Sequence, residues 1–206
     1  ITEARKQEIL SLKSIKECEI NFVKIDENLF DDYKQIKTHA DNTDLFIYNG
    51  LTEEKEIAKK ILNENKKLQI VDVSYGIKYH YGVEELWLSP NNYLMLANTV
   101  KTDLITLSSN KYDGEEIEKN YETLEEDLSL LDTELRNIAE SAQKAHSHVI
   151  VVADDSFGFL NDYGFEIVNI SNENNITSSI KNKFKNKEYT HILVKDKNKI
   201  KDAVRD

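Results

Sequence analysis

The sequence predicts an α/β protein of two lobes, each built on a parallel sheet flanked by helices, with one long rigid helix joining them. Apolar runs of strand length alternate with helix-like stretches, the pattern that parallel sheets require. The runs fall into an early and a late group, so two sheets are expected. Between the groups lies an unbroken apolar stripe of helical period.

In chain order, the early strands are read at Ile20–Ile25, Leu45–Tyr48 and Leu68–Val73, with helices over Glu53–Asn65 and Leu94–Leu107. The late strands are read at Val149–Val152, Glu166–Ile170 and His191–Val194, with a helix over Ile176–Asn186. Pro90, the single proline, is expected to fix the turn before the helix near Tyr93. No Gly/Ser-rich or Pro-rich linker interrupts the chain. After the strand Val149–Val152 the chain is expected to turn at Asp154 and enter a helix. Its first turn holds Phe157, facing the core, and Gly158 lets that helix pack closely.

The separating segment carries apolar or small residues at Ile117, Tyr121, Leu124, Leu128, Leu131, Leu135, Ile138, Ala142 and Ala145. The steps alternate four and three, which places one apolar stripe on one helical face. Asp113-Gly114 supplies a start and Ser147 lies near the end. From Glu115 to Ala145 such a helix is about 45 Å long. A coiled coil is the alternative, because the heptad is strict. The favoured reading is a spine, with Ile117–Leu128 packed on the first lobe and Leu135–Ala145 on the second. With no interior Gly or Pro to hinge it, the lobes are expected to close only slightly. The expected division is therefore residues 1–114, a linking helix 115–146, and residues 147–206.

Composition narrows the function classes. A chain of 206 residues buries one good-sized core or two small ones. A net charge of −11 argues against nucleic acid, whose binding depends on Lys and Arg neutralising phosphates. It argues equally against an anionic membrane surface as main partner. No stretch approaches the roughly 20 apolar residues of a membrane span. No secretory signal is read, so the chain is either cytoplasmic or has had a signal removed. Cys18 is the only cysteine, which excludes an internal disulfide.

Three segments in order carry a family resemblance: Asp44-Leu-Phe-Ile-Tyr-Asn-Gly50, Leu86-Trp-Leu-Ser-Pro-Asn-Asn92, and Val151-Val-Ala-Asp-Asp-Ser-Phe-Gly-Phe-Leu-Asn-Asp-Tyr-Gly164. At these spacings the chain resembles the cluster A-I solute-binding lipoproteins that feed zinc or manganese to ABC importers. The first segment is similar to the family's buried strand reading "ADLFIYNG". The second is similar to its "DPHVWLSPKN" stretch, with Glu85 where the family has a metal-binding histidine. The third is similar to its "SHDAFGYL" block and puts Asp154 at a ligand position. The remaining first-lobe ligand falls on Glu27 or Asn28, depending on a one-residue alignment choice. The resemblance runs from about Ile9 to Asp206. It also implies a strand before the first helix and further strands beyond Val204, one of which carries a fourth ligand, an aspartate.

The resemblance implies a protein outside the cytoplasm, at the extracellular or periplasmic face of the membrane and lipid-anchored in full length. It would be a monomer that captures a divalent metal (Mn or Zn) or another small solute for an ABC permease. A surface interaction or adhesion role without metal is the alternative. The implied set of Glu85, Asp154 and Glu27 or Asn28 offers oxygen ligands only, which suit Mn, Mg or Ca better than zinc.

The five histidines do not restore a zinc set. His146 and His148 would share a side only if extended. His80 lies in Tyr79-His-Tyr81 and is read as a loop residue able to approach the cleft. His39 and His191 fall in a helix and at a strand edge. Enzyme signatures are absent: there is no Gly-x-Ser-x-Gly elbow, phosphate-cradling Gly-rich loop or Cys/His zinc motif. Asp154-Asp155 would diverge as neighbours at a strand end.

Overall fold

Sheet register and side-chain alternation explain most of the core in the computed structural model, which describes residues 34, 36–37, 43–108 and 111–197. The strand expected at Ile20–Ile25, together with Cys18, Glu27, Asn28 and His39, lies outside the described residues. The chain divides into two compact units. One comprises residues 1–77 and 94–127, the other residues 78–93 and 128–206.

In the first unit, β1 (Leu45–Tyr48) pairs in parallel with β2 (Gln69–Asp72), with Leu45 opposite Gln69 and Tyr48 opposite Asp72. Helix α1 (Glu54–Glu64) connects them. Successive strand residues point to opposite faces, and the two cores follow that period of two. Phe46 and Ile70 join Ile36, Ile57, Ile61 and Leu68 on one side. Leu45, Ile47, Val71 and Val73 meet Val100, Leu96 and Leu104 on the other. The sheet is thus covered on both faces, which is why its strands read as continuous apolar runs.

In the second unit, α2 (Glu85–Leu88) is a single helical turn missed by periodicity, which needs a longer window to register. Helix α3 (Pro90–Leu107) begins at Pro90 itself rather than near Tyr93. Proline suits the first helical position, because its absent N–H has no intrahelical partner there. Ser89 before it is extended (ψ 121°), as a residue preceding proline prefers. The helix continues into the first unit, where Leu96, Val100 and Leu104 cover the sheet.

The long helix α4 runs unbroken over Lys111–Lys144. Its buried face departs from the sequence stripe. Ile117 and Tyr121 are buried, and Leu124 and Leu128 are half-buried. Beyond them the covered positions are Asp132, Leu135, Ala139 and Ala142, while Leu131 and Ile138 are exposed. A step of four replaces a step of three after Leu128. A straight α-helix drifts roughly 20° per heptad against a strict 3.5 repeat, so a fixed packing direction must slip by one residue.

β3 (Val149–Val152) pairs in parallel with β4 (Glu166–Asn169), Val149 opposite Glu166. The strand expected at His191–Val194 is reduced to one parallel bridge, Val152 to Leu193, made by Leu193 N–H to Val151 O (2.8 Å) and Ala153 N–H to Leu193 O (3.0 Å). Both hydrogen bonds lie on the edge of β3 away from β4. Between β3 and β4 the expected helix is a 3₁₀ helix, Asp155–Tyr163, unusually long for that type. Gly164 ends it at φ +91°, where any Cβ would also lie 2.4 Å from the Gln143 amide nitrogen. Phe159, Leu160, Tyr163 and Phe165 form the core with Ala139, and Leu135, Ala142, Ile150, Phe157 and Ile167 pack around them. Phe157 is half-buried, so Phe159 is the principal aromatic of this core. The last helix among the described residues, α5 (Ser178–Lys185), is capped by the Thr177 hydroxyl.

One polar cluster ties α4 to the 3₁₀ helix. The Tyr163 hydroxyl donates to Asp132 Oδ1 (2.7 Å), and Arg136 donates to both Asp132 oxygens (2.8 and 3.3 Å). Burial raises the Tyr163 phenol well above its ordinary value, and the hydrogen bond to Asp132 adds to this. Burial also works to raise Asp132, but the hydrogen bonds from Arg136 and Tyr163 outweigh it and hold the carboxyl below its usual range. A depressed carboxyl stabilises the fold above its unfolded pKa and loses that contribution as pH falls through the folded value. A raised phenol stabilises below its unfolded pKa and loses that contribution as pH rises further. Melting temperature should therefore fall below about pH 4 and above about pH 10. In Tyr163→Phe the alkaline fall should shrink, and equal alkaline slopes in the two proteins would contradict the assignment.

Candidate solute-binding site

The residues that stand at ligand positions by resemblance are held by the two loops that follow strands. The Leu86-Trp-Leu-Ser-Pro-Asn-Asn92 block builds the first. Leu86 is fully buried and anchors the single turn of α2, and Pro90 forces the chain out of it at Ser89. Asn92 then reaches back, its amide donating to Lys78 O (3.0 Å) and Glu85 O (3.3 Å). The loop from Lys78 to Glu84 is thereby folded against the helix that follows it.

Glu85 is 0% exposed. Its Oε1 accepts from the N–H groups of Tyr81 (2.8 Å) and Gly82 (3.3 Å), and Oε2 accepts from His80 N–H (3.0 Å). Gly158 closes the other side. A Cβ there would fall 2.4 Å from Glu85 Oε1, 2.6 Å from the Tyr81 ring and 2.8 Å from His80 Cβ. The glycine of the third sequence block is therefore needed for close approach, as expected, although its partner is a carboxylate and a loop.

Asp154 caps the 3₁₀ helix. Its Oδ1 accepts from Ser156 N–H (2.8 Å) and its Oδ2 from Lys195 N–H (2.8 Å). Asp155 turns elsewhere, accepting from the Asn169 amide (2.8 Å) and the Ser171 hydroxyl (2.7 Å). The adjacent aspartates thus serve different loops, as neighbours at a strand end should. Lys195 also approaches Glu84 at 3.7 Å, an exposed pair that contributes little.

Two exposed side chains at this end of the unit face each other: His80 Nε2 lies 3.0 Å from Asp162 Oδ1. His80 was legible as a loop histidine. Its partner carried no signal, because a contact across more than eighty residues is set by the fold alone. His146 sits at φ +53°, so the extended geometry that would pair it with His148 does not occur. The ring nitrogen Nδ1 of His148 is shielded and makes no hydrogen bond among the described residues.

The first unit presents its own polar groups at the strand ends. Asp72 Oδ1 accepts from Gly50 N–H (2.9 Å), Ser74 N–H (3.0 Å) and the Ser74 hydroxyl (2.6 Å). Asn49 donates its N–H to Glu54 (2.7 Å), and its side-chain oxygen accepts from Leu51 N–H (3.0 Å). These contacts explain Asn49-Gly50 as a strand-to-helix turn.

No group of three or more His, Cys, Asp or Glu side chains converges to hold a divalent ion among the described residues. Glu85 and Asp154 spend their oxygens on backbone N–H groups, and Glu27 and Asn28 lie outside the described residues. Among the described residues, Glu85 and Asp154 therefore do not form an open pair of ligands.

Each unit pairs two parallel strands with helices, and residues of α4 belong to both units. The family model of ZnuA, the periplasmic component A of the zinc-uptake complex, matches residues 33–200, and the chain belongs to that family. No curated protein matches the sequence. Among solved structures the chain is similar to a ZnuA at 18% identity, with a TM-score of 0.63 over 88% of this chain and 75% of that one. It is similar to the metal-dependent lipoprotein YcdH of Bacillus subtilis at 22% identity, with a TM-score of 0.62 over 79% of this chain and 64% of that one. The periplasmic zinc-binding protein TroA of Treponema pallidum is 22% identical, with a TM-score of 0.58 over 85% and 69% of the two chains. At these identities the likeness is one of fold. No helix among the described residues is long and apolar enough to cross a membrane.

Proposed function

We propose that the chain is the extracytoplasmic solute-binding component of an ABC importer, which captures a divalent metal or another small solute and hands it to a membrane permease without chemistry. The family match over residues 33–200 is the observation that carries this reading. A lipid anchor in the full-length protein and a monomeric state belong to the same proposal. Open α/β folds bind ligands at the carboxyl ends of their strands, and within the second unit Asp154 follows the carboxyl end of β3.

A second reading is a member of the family acting as a surface interaction or adhesion protein without metal, and the commitment of the Glu85 and Asp154 oxygens to backbone N–H groups supports it. Native mass spectrometry of metal-free protein with added Zn, Mn, Ca or Mg separates the two. The transport reading expects one divalent ion per chain, with zinc held more weakly than in a multi-histidine site. Absence of any bound ion across all four metals favours the second reading. A zinc-soaked crystal with tetrahedral coordination by two histidines would overturn the expectation of weak zinc binding.

A further inference from the structure

We infer that Glu85 is a positioning residue that holds its own loop, and that it does not ligate the cargo. The inference rests on the solute-binding reading only for its meaning, since it concerns the position where the family carries a metal-binding histidine. The carboxylate is fully buried and accepts three N–H groups in sequence, from His80, Tyr81 and Gly82. Such a reach back from the first turn of a helix to preceding N–H groups resembles the glutamate half of a capping box. Glutamate can do this because an ionised carboxylate offers about four acceptor sites on two oxygens. A neutral imidazole offers one acceptor, so histidine at this position leaves the other N–H groups without a partner.

Turning Glu85 outward to meet an ion would strip those N–H groups while they remain wholly or partly shielded from water, which is the costly side of a hydrogen-bond exchange. The packing opposes the rotation as well. Gly158 leaves no room beside Oε1, and Asn92 clamps the Glu85 carbonyl from the opposite end of α2. What the loop presents instead is His80 beside Asp162, flanked in sequence by Tyr79 and Tyr81, both at least 40% exposed. The carboxyl group at position 85 therefore works within the protein: its hydrogen bonds fix which side chains the loop displays.

Amide hydrogen exchange resolved by NMR tests this on the 206-residue chain, with Glu85→Gln and Glu85→His beside it. In the unsubstituted protein the amides of His80, Tyr81 and Gly82 should exchange slowly, and added zinc or magnesium should leave their rates unchanged. In both variants at least one of the three should exchange roughly tenfold faster or more, the scale of losing a charge-assisted hydrogen bond. Acceleration of these amides by zinc in the unsubstituted protein would overturn the inference, because a ligating Glu85 must release them. Retained protection in Glu85→His would overturn it as well. The unsubstituted arm requires no variant to fold. Mass spectrometry reports cargo separately: absence of every ion defeats the metal reading and leaves the exchange result to decide the role of Glu85.

Discussion

Phe159→Ala should destabilise the second unit by about 3–5 kcal/mol, the usual loss for a buried aromatic. Phe159 is 7% exposed and sits among Leu160, Tyr163, Phe165 and Ala139, with its ring set edge-on to Tyr163 at 6.4 Å. A cavity there has no easy way to collapse. Its walls are the 3₁₀ helix, the strand face that carries Ile150 and Ile167, and the rigid turns of α4 around Ala139. The melting temperature should drop by about 6–20 °C, at roughly 2–4 °C per kcal/mol for a chain of this size. Phe157→Ala, two residues away, should cost clearly less, because that ring is half-buried at the margin of the same core. Equal losses from the two substitutions, read from urea midpoints, would show that the packing at this core is misassigned.

Ile117→Ala and Ile138→Ala should separate just as sharply, although both residues lie on the same heptad stripe. Ile117 is 2% exposed in the first unit, and its truncation should cost about 2–5 kcal/mol. Ile138 is 57% exposed, so its truncation should stay within about 0.5 kcal/mol. The higher helix propensity of alanine offsets part of even that loss. A large destabilisation at Ile138 would mean that the face bearing Leu131 and Ile138 is covered in solution. A concentration-dependent mass would then identify the cover as a second copy, as the coiled-coil alternative expects.

These two pairs show why element type was easier to read than side-chain fate. Strands β1 and β3 coincide with their expected ranges because each is a short apolar run between turn residues, paired in parallel with a second strand. The long helix was legible because more than thirty residues without a proline, with one apolar face, admit no other regular structure. The stripe misled after Leu128 because a heptad in sequence and the pitch of a straight helix diverge slowly. The 3₁₀ helix after Asp154 and the single turn at Glu85–Leu88 were not separable from α-helix and loop, since both depend on contacts made elsewhere.

For the candidate site, residue identity and residue role came apart. The order and spacing of three sequence blocks were enough to place the chain in its family, and they marked Glu85 and Asp154 as the substituted positions. Neither composition nor spacing could say where those carboxylates point. That depends on Gly158 arriving within contact of Glu85 from more than seventy residues away, and on Lys195 N–H reaching Asp154 across the sheet edge. Local pattern settles helices, strands and turns because their hydrogen bonds run between near neighbours or along uniform ladders. The fate of a carboxylate is settled by whichever donors the folded chain brings to it, and those donors come from segments that the local pattern does not connect.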